Sequence, residues 1–261
     1  MKEYISQAEA EAFLEEFPAD LPPHMEENTE AFPLFDPPIP NPVDGSPSKP
    51  STLVREIMHL IGEEEPKRII DLGAGMSATG LYLAAYGHEV TVVDEHPQAL
   101  DWQTHWKYQL GLQNDMRVVG NDVHSAISTG DKYDLVIAEH LIHFMDEQSS
   151  RKLLAGMRAA TLLGGFNIVA AYSHDNPDEE KQPPRNLRQF FSVDDLRAAY
   201  PEDEWETVFA AETYAHRFVP RIKRQVLIPS AAEIIVRKTD EKPAPLLGIS
   251  NDLMGQYTYF S

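Results

Sequence analysis

The stretch Arg68-Ile69-Ile70-Asp71-Leu72-Gly73-Ala74-Gly75-Met76-Ser77-Ala78-Thr79-Gly80 constrains the fold more than any other. An apolar strand that ends in an acid, turns through two glycines and enters a helix leaves backbone N–H groups and a bare backbone surface where a nucleotide-like ligand can press close. A second apolar run, Glu89-Val90-Thr91-Val92-Val93-Asp94, ends about 20 residues on, where Asp94, with Glu95 beside it, can accept the hydroxyls of a ribose. Together the two runs predict an adenosine-bearing cofactor.

The turn also bears on which adenosine cofactor it is. Gly73, Gly75 and Ala78 fit a dinucleotide fingerprint, which is weak evidence alone. Asp71 argues against it, because a carboxylate two residues before the first glycine would repel a pyrophosphate. The same acid favours a cofactor that carries a sulfonium and an ammonium. Asp71-Leu72-Gly73-Ala74-Gly75 resembles motif I of the class I S-adenosylmethionine (SAM) methyltransferases. Read for packing alone, the motif would not need two matched acids at strand ends.

The rest of the chain supplies the repeating units of an open parallel sheet. A helix from Ser51 with apolar positions Leu53, Val54, Ile57, Met58, Leu60 and Ile61 precedes the first strand. Next come a helix over residues 78–86 closed by Gly87, the second strand, a helix from Pro97 through Leu112, and a third strand over residues 115–119. A fourth strand spans 133–138, and a helix capped by Asp146 runs to about Thr161. Gly164-Gly165 then turns into a fifth strand over 166–172. After a polar loop, a capping box at Ser192 to Asp195 starts a short helix, and Trp205 to Tyr214 and Gln225 to Arg237 read as a final antiparallel pair. This order predicts an α/β fold, a doubly wound, mostly parallel seven-stranded sheet with an antiparallel edge strand, Rossmann-like as in class I methyltransferases.

The two ends differ from this core. Residues 1–50 hold 11 acids, two lysines and half of the chain's 20 prolines. They read as an N-terminal segment that is either a solvated tail or a lid, since Phe32, Leu34 and Phe35 are apolar enough to dock over a cleft. The methyltransferase domain is expected over 51–238 and a tail over 239–261. A formal net charge of −20 disfavours a nucleic-acid partner and leaves small molecules as substrates. With no cysteine there is no disulfide or thiolate metal site, and no other metal site is expected. No apolar run approaches a membrane span, so a soluble cytoplasmic protein with no membrane partner is the default expectation. No residue pattern sets an oligomeric state.

Further site candidates stand at the ends of the later strands. Asp122, with Val123 after it, can accept from an adenine amino group or can cap a helix. The fourth strand delivers Glu139, His140 and His143 to the carboxyl edge of the sheet. Glu139 could contact the cofactor amine or act as a base. Each histidine suits either a general base or structural packing. His216, Arg217, Arg221, Lys223 and Arg224 form the only dense basic cluster, read as a turn between the last two strands.

From Arg68 to about Lys238 the order of pieces resembles the TehB-type tellurite-resistance methyltransferases. The matching pieces include motif I, the strand over 133–137 leading to His143-Phe144, Ala160-Thr161-Leu162-Leu163-Gly164-Gly165, Phe191 to Leu196, His216-Arg217 and Arg221-Ile222-Lys223. The resemblance implies methyl transfer from SAM to a small nucleophile such as tellurite, selenite or a thiol, with His216, Arg217 and Arg221 on the substrate side. The spacing from Arg217 to Arg221 is shorter than the family's pattern, and about 50 residues precede the fold. An O- or N-methyltransferase of a secondary metabolite and a non-catalytic SAM-binding module are the alternatives.

Overall fold

The computed structural model describes Ile39 and residues 52–62, 65–173, 188–219, 224–239 and 258–259. Eight strands form one sheet in the order β3-β2-β1-β4-β5-β7-β6-β8. They are β1 (Arg68–Leu72), β2 (Glu89–Asp94), β3 (Met116–Gly120), β4 (Tyr133–Glu139), β5 (Thr161–Tyr172), β6 (Trp205–Val219), β7 (Arg224–Lys238) and the two-residue β8 (Thr258–Tyr259). The helices are α1 (Thr52–Ile61), α2 (Thr79–Ala85), α3 (Pro97–Gln109), α4 (Val123–Ile127), α5 (Glu147–Ala160) and α6 (Val193–Ala198), with a 3-10 turn at Ile142–Phe144.

Strict alternation along the strands divides the core in two. Ile70, Leu72, Val136, Ala138, Val169 and Ala171 join Leu153, Leu154 and Met157 of α5 and Ile127 of α4 on one face. Ile69, Val90, Val92, Leu135, Ile137 and Ile168 join Leu53 and Ile57 of α1 and Leu81 and Leu83 of α2 on the other. Central strands covered on both faces read as continuous apolar runs, which is how β1, β2 and β4 appear in the sequence.

The first five strands are parallel, and the chain reverses direction across the sheet between β1 and β4, which are neighbours. Open α/β sheets bind ligands at such a switch point, outside the strand carboxyl ends. The expected fold is present, and the reversed strand is β7, paired antiparallel to β5 with β6 outside it. Thr213 of β6 lies level with Ala231 of β7, which pairs with Tyr172 at the end of β5. The remainder of β6 and β7 therefore continues as a ribbon past the cofactor end of the sheet, with β8 paired to Tyr214 and Ala215 on its outer side.

Several boundaries differ from the sequence expectation. Helix α3 stops at Gln109, before Leu112, because Gly111 takes a φ of +71°. Gly111 and Leu112 then donate to the carbonyls of Tyr108 and Lys107. The same Schellman closure ends α2 at Gly87, where Gly87 and His88 donate to Ala84 and Leu83. Strand β3 starts at Met116.

Strand β5 begins at Thr161, directly after α5, and Gly164-Gly165 lies within it at an irregularity where Tyr133 pairs with Thr161 but Leu135 with Phe166. A Cβ on Gly165 would lie 2.8 Å from the Asp134 carbonyl oxygen and 2.9 Å from that of Leu162, both backbone atoms that cannot step aside. Gly165→Ala is expected to destabilise the protein by about 1–3 kcal/mol in urea unfolding. A change within about 0.5 kcal/mol, typical of an uninvolved surface site, would show that the strand start yields easily.

Candidate active site

Three acids converge where the sheet switches direction. Asp71 of β1 is level with Val92 of β2 and Ile137 of β4, so Asp94 and Glu139 stand two residues further along on either side. Asp71 is only 3% exposed, and its Oδ2 is buried without a hydrogen-bond partner. Among the described residues no salt bridge reaches it. Burial foremost, then the charges of Glu139 and Asp94, pushes its carboxyl well above the usual range. Glu139 accepts from the Thr79 hydroxyl at 3.2 Å. A buried acid held between two others would be stabilised by a positively charged partner.

The glycine turn is tied down from several directions. Gly73 and Gly75 sit at φ +67° and +55°. The N–H groups of Gly73 and Ala74 both donate to the Val93 carbonyl, and that of Ser77 donates to Ala74. Gly75 N–H donates to Asp94 Oδ2 at 2.9 Å, while Asp94 Oδ1 accepts from His96 N at 2.8 Å. The expectation that free N–H groups of this turn face the ligand is thus corrected: these four are satisfied within the protein. What remains is a bare backbone surface beside the Asp94 carboxylate, whose oxygens can each accept again.

Two contributors escaped the sequence reading. Thr79, at the start of α2, joins motif I to Glu139. Gln103 of α3 is completely buried, and its Nε2 donates to the carbonyls of Gly75 at 3.0 Å and Ser77 at 2.9 Å. Its signal was a polar residue four positions after Ala99, on the buried side of a helix otherwise faced by apolar groups.

Beyond Glu139 the backbone of His140 is strained: it is the only described non-glycine residue with positive φ, at +54°. Such conformations persist only where surroundings enforce them, and they concentrate at functional sites. Its N–H donates to the Ala170 carbonyl at 2.8 Å; the residue keeps solvent access, yet the chain packed around its ring desolvates it and lowers its pKa from the ordinary imidazole value. His143 is fully buried, stacked on Tyr172 with ring centroids 4.1 Å apart and 15° between planes. Burial foremost, then His140, pushes its pKa down to about 3. The Tyr172 N–H donates to His143 Nδ1 at 3.2 Å, which puts the ring proton on Nε2 and leaves no free lone pair to take another. This geometry favours packing over proton transfer for His143, whereas His140 is the one of the pair with solvent access.

The other candidates fall as follows. Asp122 caps α4, accepting from the Ser125 N–H at 2.9 Å, and that bond foremost holds its carboxyl below the usual range. The Ser125 hydroxyl reaches the same oxygen at 3.2 Å. Val123 is buried behind it, and Glu95 is exposed beside Asp94. His216 and Arg217 lie in β6, paired with Leu227 and Val226, so the basic cluster is not simply a turn. They lie three and four residues, or about 10–13 Å, past Thr213 on the cofactor side of the sheet. Arg221 and Lys223 lie outside the described residues. Among the described residues no group of three or more metal-ligating side chains occurs, and no helix is long and apolar enough to cross a membrane.

A doubly wound sheet with this strand order, with acids grouped at its switch point and at the end of its second strand, matches the class I SAM-dependent methyltransferase architecture. Comparison with known proteins names the family. The family model for the tellurite resistance protein TehB matches residues 51–216, and the chain belongs to that family. Hemagglutinin 1 of Eikenella corrodens is 29% identical over 157 residues, covering 59% of this chain and 47% of that protein. The probable S-adenosyl-L-methionine-dependent methyltransferase TehB of Haemophilus influenzae is 27% identical over 112 residues, covering 42% of this chain and 38% of that protein. The chain thus spans less than half the length of these relatives. The crystal structure of TehB from Haemophilus influenzae shares the fold, with a TM-score of 0.59 at 19% identity over 72% of this chain and 62% of that one. S-adenosylmethionine is the cofactor of this family, and the unpaired Asp71 oxygen among further acids fits its cationic methionine end.

Proposed function

We propose that this chain transfers the methyl group of SAM to a small anionic nucleophile, either an oxyanion of the kind that the family's tellurite-resistance description suggests or a thiolate. The observation that carries the reading is Asp71, buried and unpaired between Glu139 and Asp94 at the sheet's switch point. SAM when bound supplies an electrophilic methyl group on a sulfonium, so the protein's work is to hold the acceptor close and in line. In this reading Asp71 and Glu139 face the cofactor's positive end, Asp94 with Glu95 its ribose, and Asp122 with Val123 its adenine. Gly73, Ala74 and Gly75 offer the surface against which it lies. His216, Arg217 and Arg221 supply positive charge to draw and orient an anion at the open end of an otherwise acidic protein. His140 takes a proton where the acceptor carries one.

SAM titrated into the protein should bind, and S-adenosylhomocysteine release should depend on added tellurite, selenite or a simple thiol over a no-acceptor control. Arg217→Ala should lower turnover about tenfold while SAM affinity stays within twofold, a split expected of a residue that meets only the acceptor. Unchanged turnover on the best acceptor would remove Arg217 from the substrate site. A second reading is favoured by one feature: Phe144 is 38% exposed with its ring 4.2 Å from that of His143. That apolar ring suits a flat organic acceptor methylated on oxygen or nitrogen.

A further inference from the structure

Helix α3 lies outside motif I, yet it holds the motif's loop by a single side chain. The two described residues that α3 buries are Ala99 and Gln103, with Trp102, Trp106 and Leu110 packed half-buried against the apolar cluster that holds Leu53 and Ile57 of α1 and Leu81 and Leu83 of α2. Burying an amide is costly, and here both donor positions of Nε2 are spent on the carbonyls of Gly75 and Ser77 while Oε1 is buried without a hydrogen-bond partner, so the two bonds to the loop are the polar contacts that hold the side chain in place. The opposite amide orientation would set Oε1 against those two oxygens, so the chemistry of the partners fixes the assignment.

The same loop is gripped at its other polar edge by Asp94, through the Gly75 N–H. Asp94 ends β2, and α3 begins three residues later at Pro97. Gly75 is therefore held by its N–H to the strand end and by its carbonyl to the helix that follows. The glycine turn and the ribose-side acid become one rigid unit.

We propose that Gln103 is a positioning residue for the cofactor, setting the distance between the motif I backbone and the Asp94 carboxylate without touching the ligand; this rests on the SAM reading of the site. Pre-organisation of this kind raises affinity because the loop need not be ordered on binding. The effect is geometric, so it acts alike on the cofactor and on its uncharged-sulfur product.

The test uses the full chain and two probes, SAM and S-adenosylhomocysteine, titrated calorimetrically into wild type, Gln103→Met and Gln103→Glu. Methionine keeps the side-chain length and removes the donors. Glutamate keeps the shape but turns a carboxylate toward two carbonyls, so it serves if the methionine variant does not fold. Losing two hydrogen bonds is expected to raise Kd for both ligands about tenfold. Parallel losses for SAM and its product in a folded variant support the proposal. Affinities within twofold of wild type, whatever the change in the Tm of the ligand-free protein, would make Gln103 merely structural and overturn it. A loss confined to SAM would point to charge rather than geometry and would also overturn it. If the wild-type protein binds neither probe, the SAM reading itself falls, which is a different result from equal binding by wild type and variants.

Discussion

Replacing Asp71 with asparagine is expected to weaken SAM binding about 10- to 100-fold while making the ligand-free protein more stable. The two effects share one cause. Asp71 is buried between Asp94 and Glu139, so in the free protein its negative charge is opposed by desolvation and by both neighbours. Asparagine keeps the shape and removes that repulsion. A hydrogen bond to a charged group contributes about 1.5–3 kcal/mol, and 1.4 kcal/mol is tenfold in affinity, which sets the expected loss. S-adenosylhomocysteine lacks the sulfonium charge and should lose less than SAM.

The pH dependence has a fixed sign. The Asp71 carboxyl holds its proton more tightly folded than unfolded, where it titrates near the ordinary value of about 3.9. Its contribution to stability is therefore fully present below that value and is lost as pH rises through the folded one. A cationic ligand selects the carboxylate, so SAM affinity should climb over the same interval and level off above it. In Asp71→Asn both slopes should flatten. Calorimetric titration and urea unfolding across pH check the pair, and a variant that bound SAM as tightly as wild type would remove Asp71 from the cofactor site.

The features legible in the sequence were those written in local chemistry. Apolar strands ending in acids, Gly87 closing a helix, Asp146 as a cap and the capping box at Ser192 all stand as read, because each is specified by a few neighbouring residues. What escaped depended on distant partners. Gly111 ends α3 as Gly87 ends α2, but the apolar residues continuing to Leu112 masked it; Leu112 is buried after the turn. Gly164-Gly165 reads as a turn, yet it is an irregularity within β5, and the reason lies across the sheet at the Asp134 carbonyl.

The site shows the same division. Asp71, Asp94 and Glu139 could be placed from strand ends alone. The use of the loop N–H groups by Val93, Ala74 and Asp94 could not, nor the reach of Gln103 to the loop. His143 followed by an aromatic residue left packing and catalysis open; the Tyr172 N–H on its Nδ1 is a contact across 29 positions of sequence.

Ile39→Ala is expected to cost about 2–5 kcal/mol, the range for removing most of a fully buried aliphatic side chain. Ile39 lies in the proline-rich N-terminal segment and is 1% exposed, within the cluster formed by Leu53, Val54, Ile57 and Met58 of α1 and by Ala74 and Ala78 beside the cofactor loop. Set against a total stability of about 5–15 kcal/mol this is a large share, and at about 2–4 °C per kcal/mol it should lower Tm by roughly 4–20 °C. A change of less than about 0.5 kcal/mol would mean that the segment is a solvated tail. The cluster reaches Ala74 and Ala78, so the void should also loosen the floor of the glycine turn. SAM affinity should then fall together with stability, and saturating SAM should recover part of the lost Tm by mass action. Deleting residues 1–50 should reproduce both effects if Ile39 is the segment's main attachment. A deletion that removed SAM binding while Ile39→Ala left it intact would instead place the segment's contribution over the cleft, as a lid.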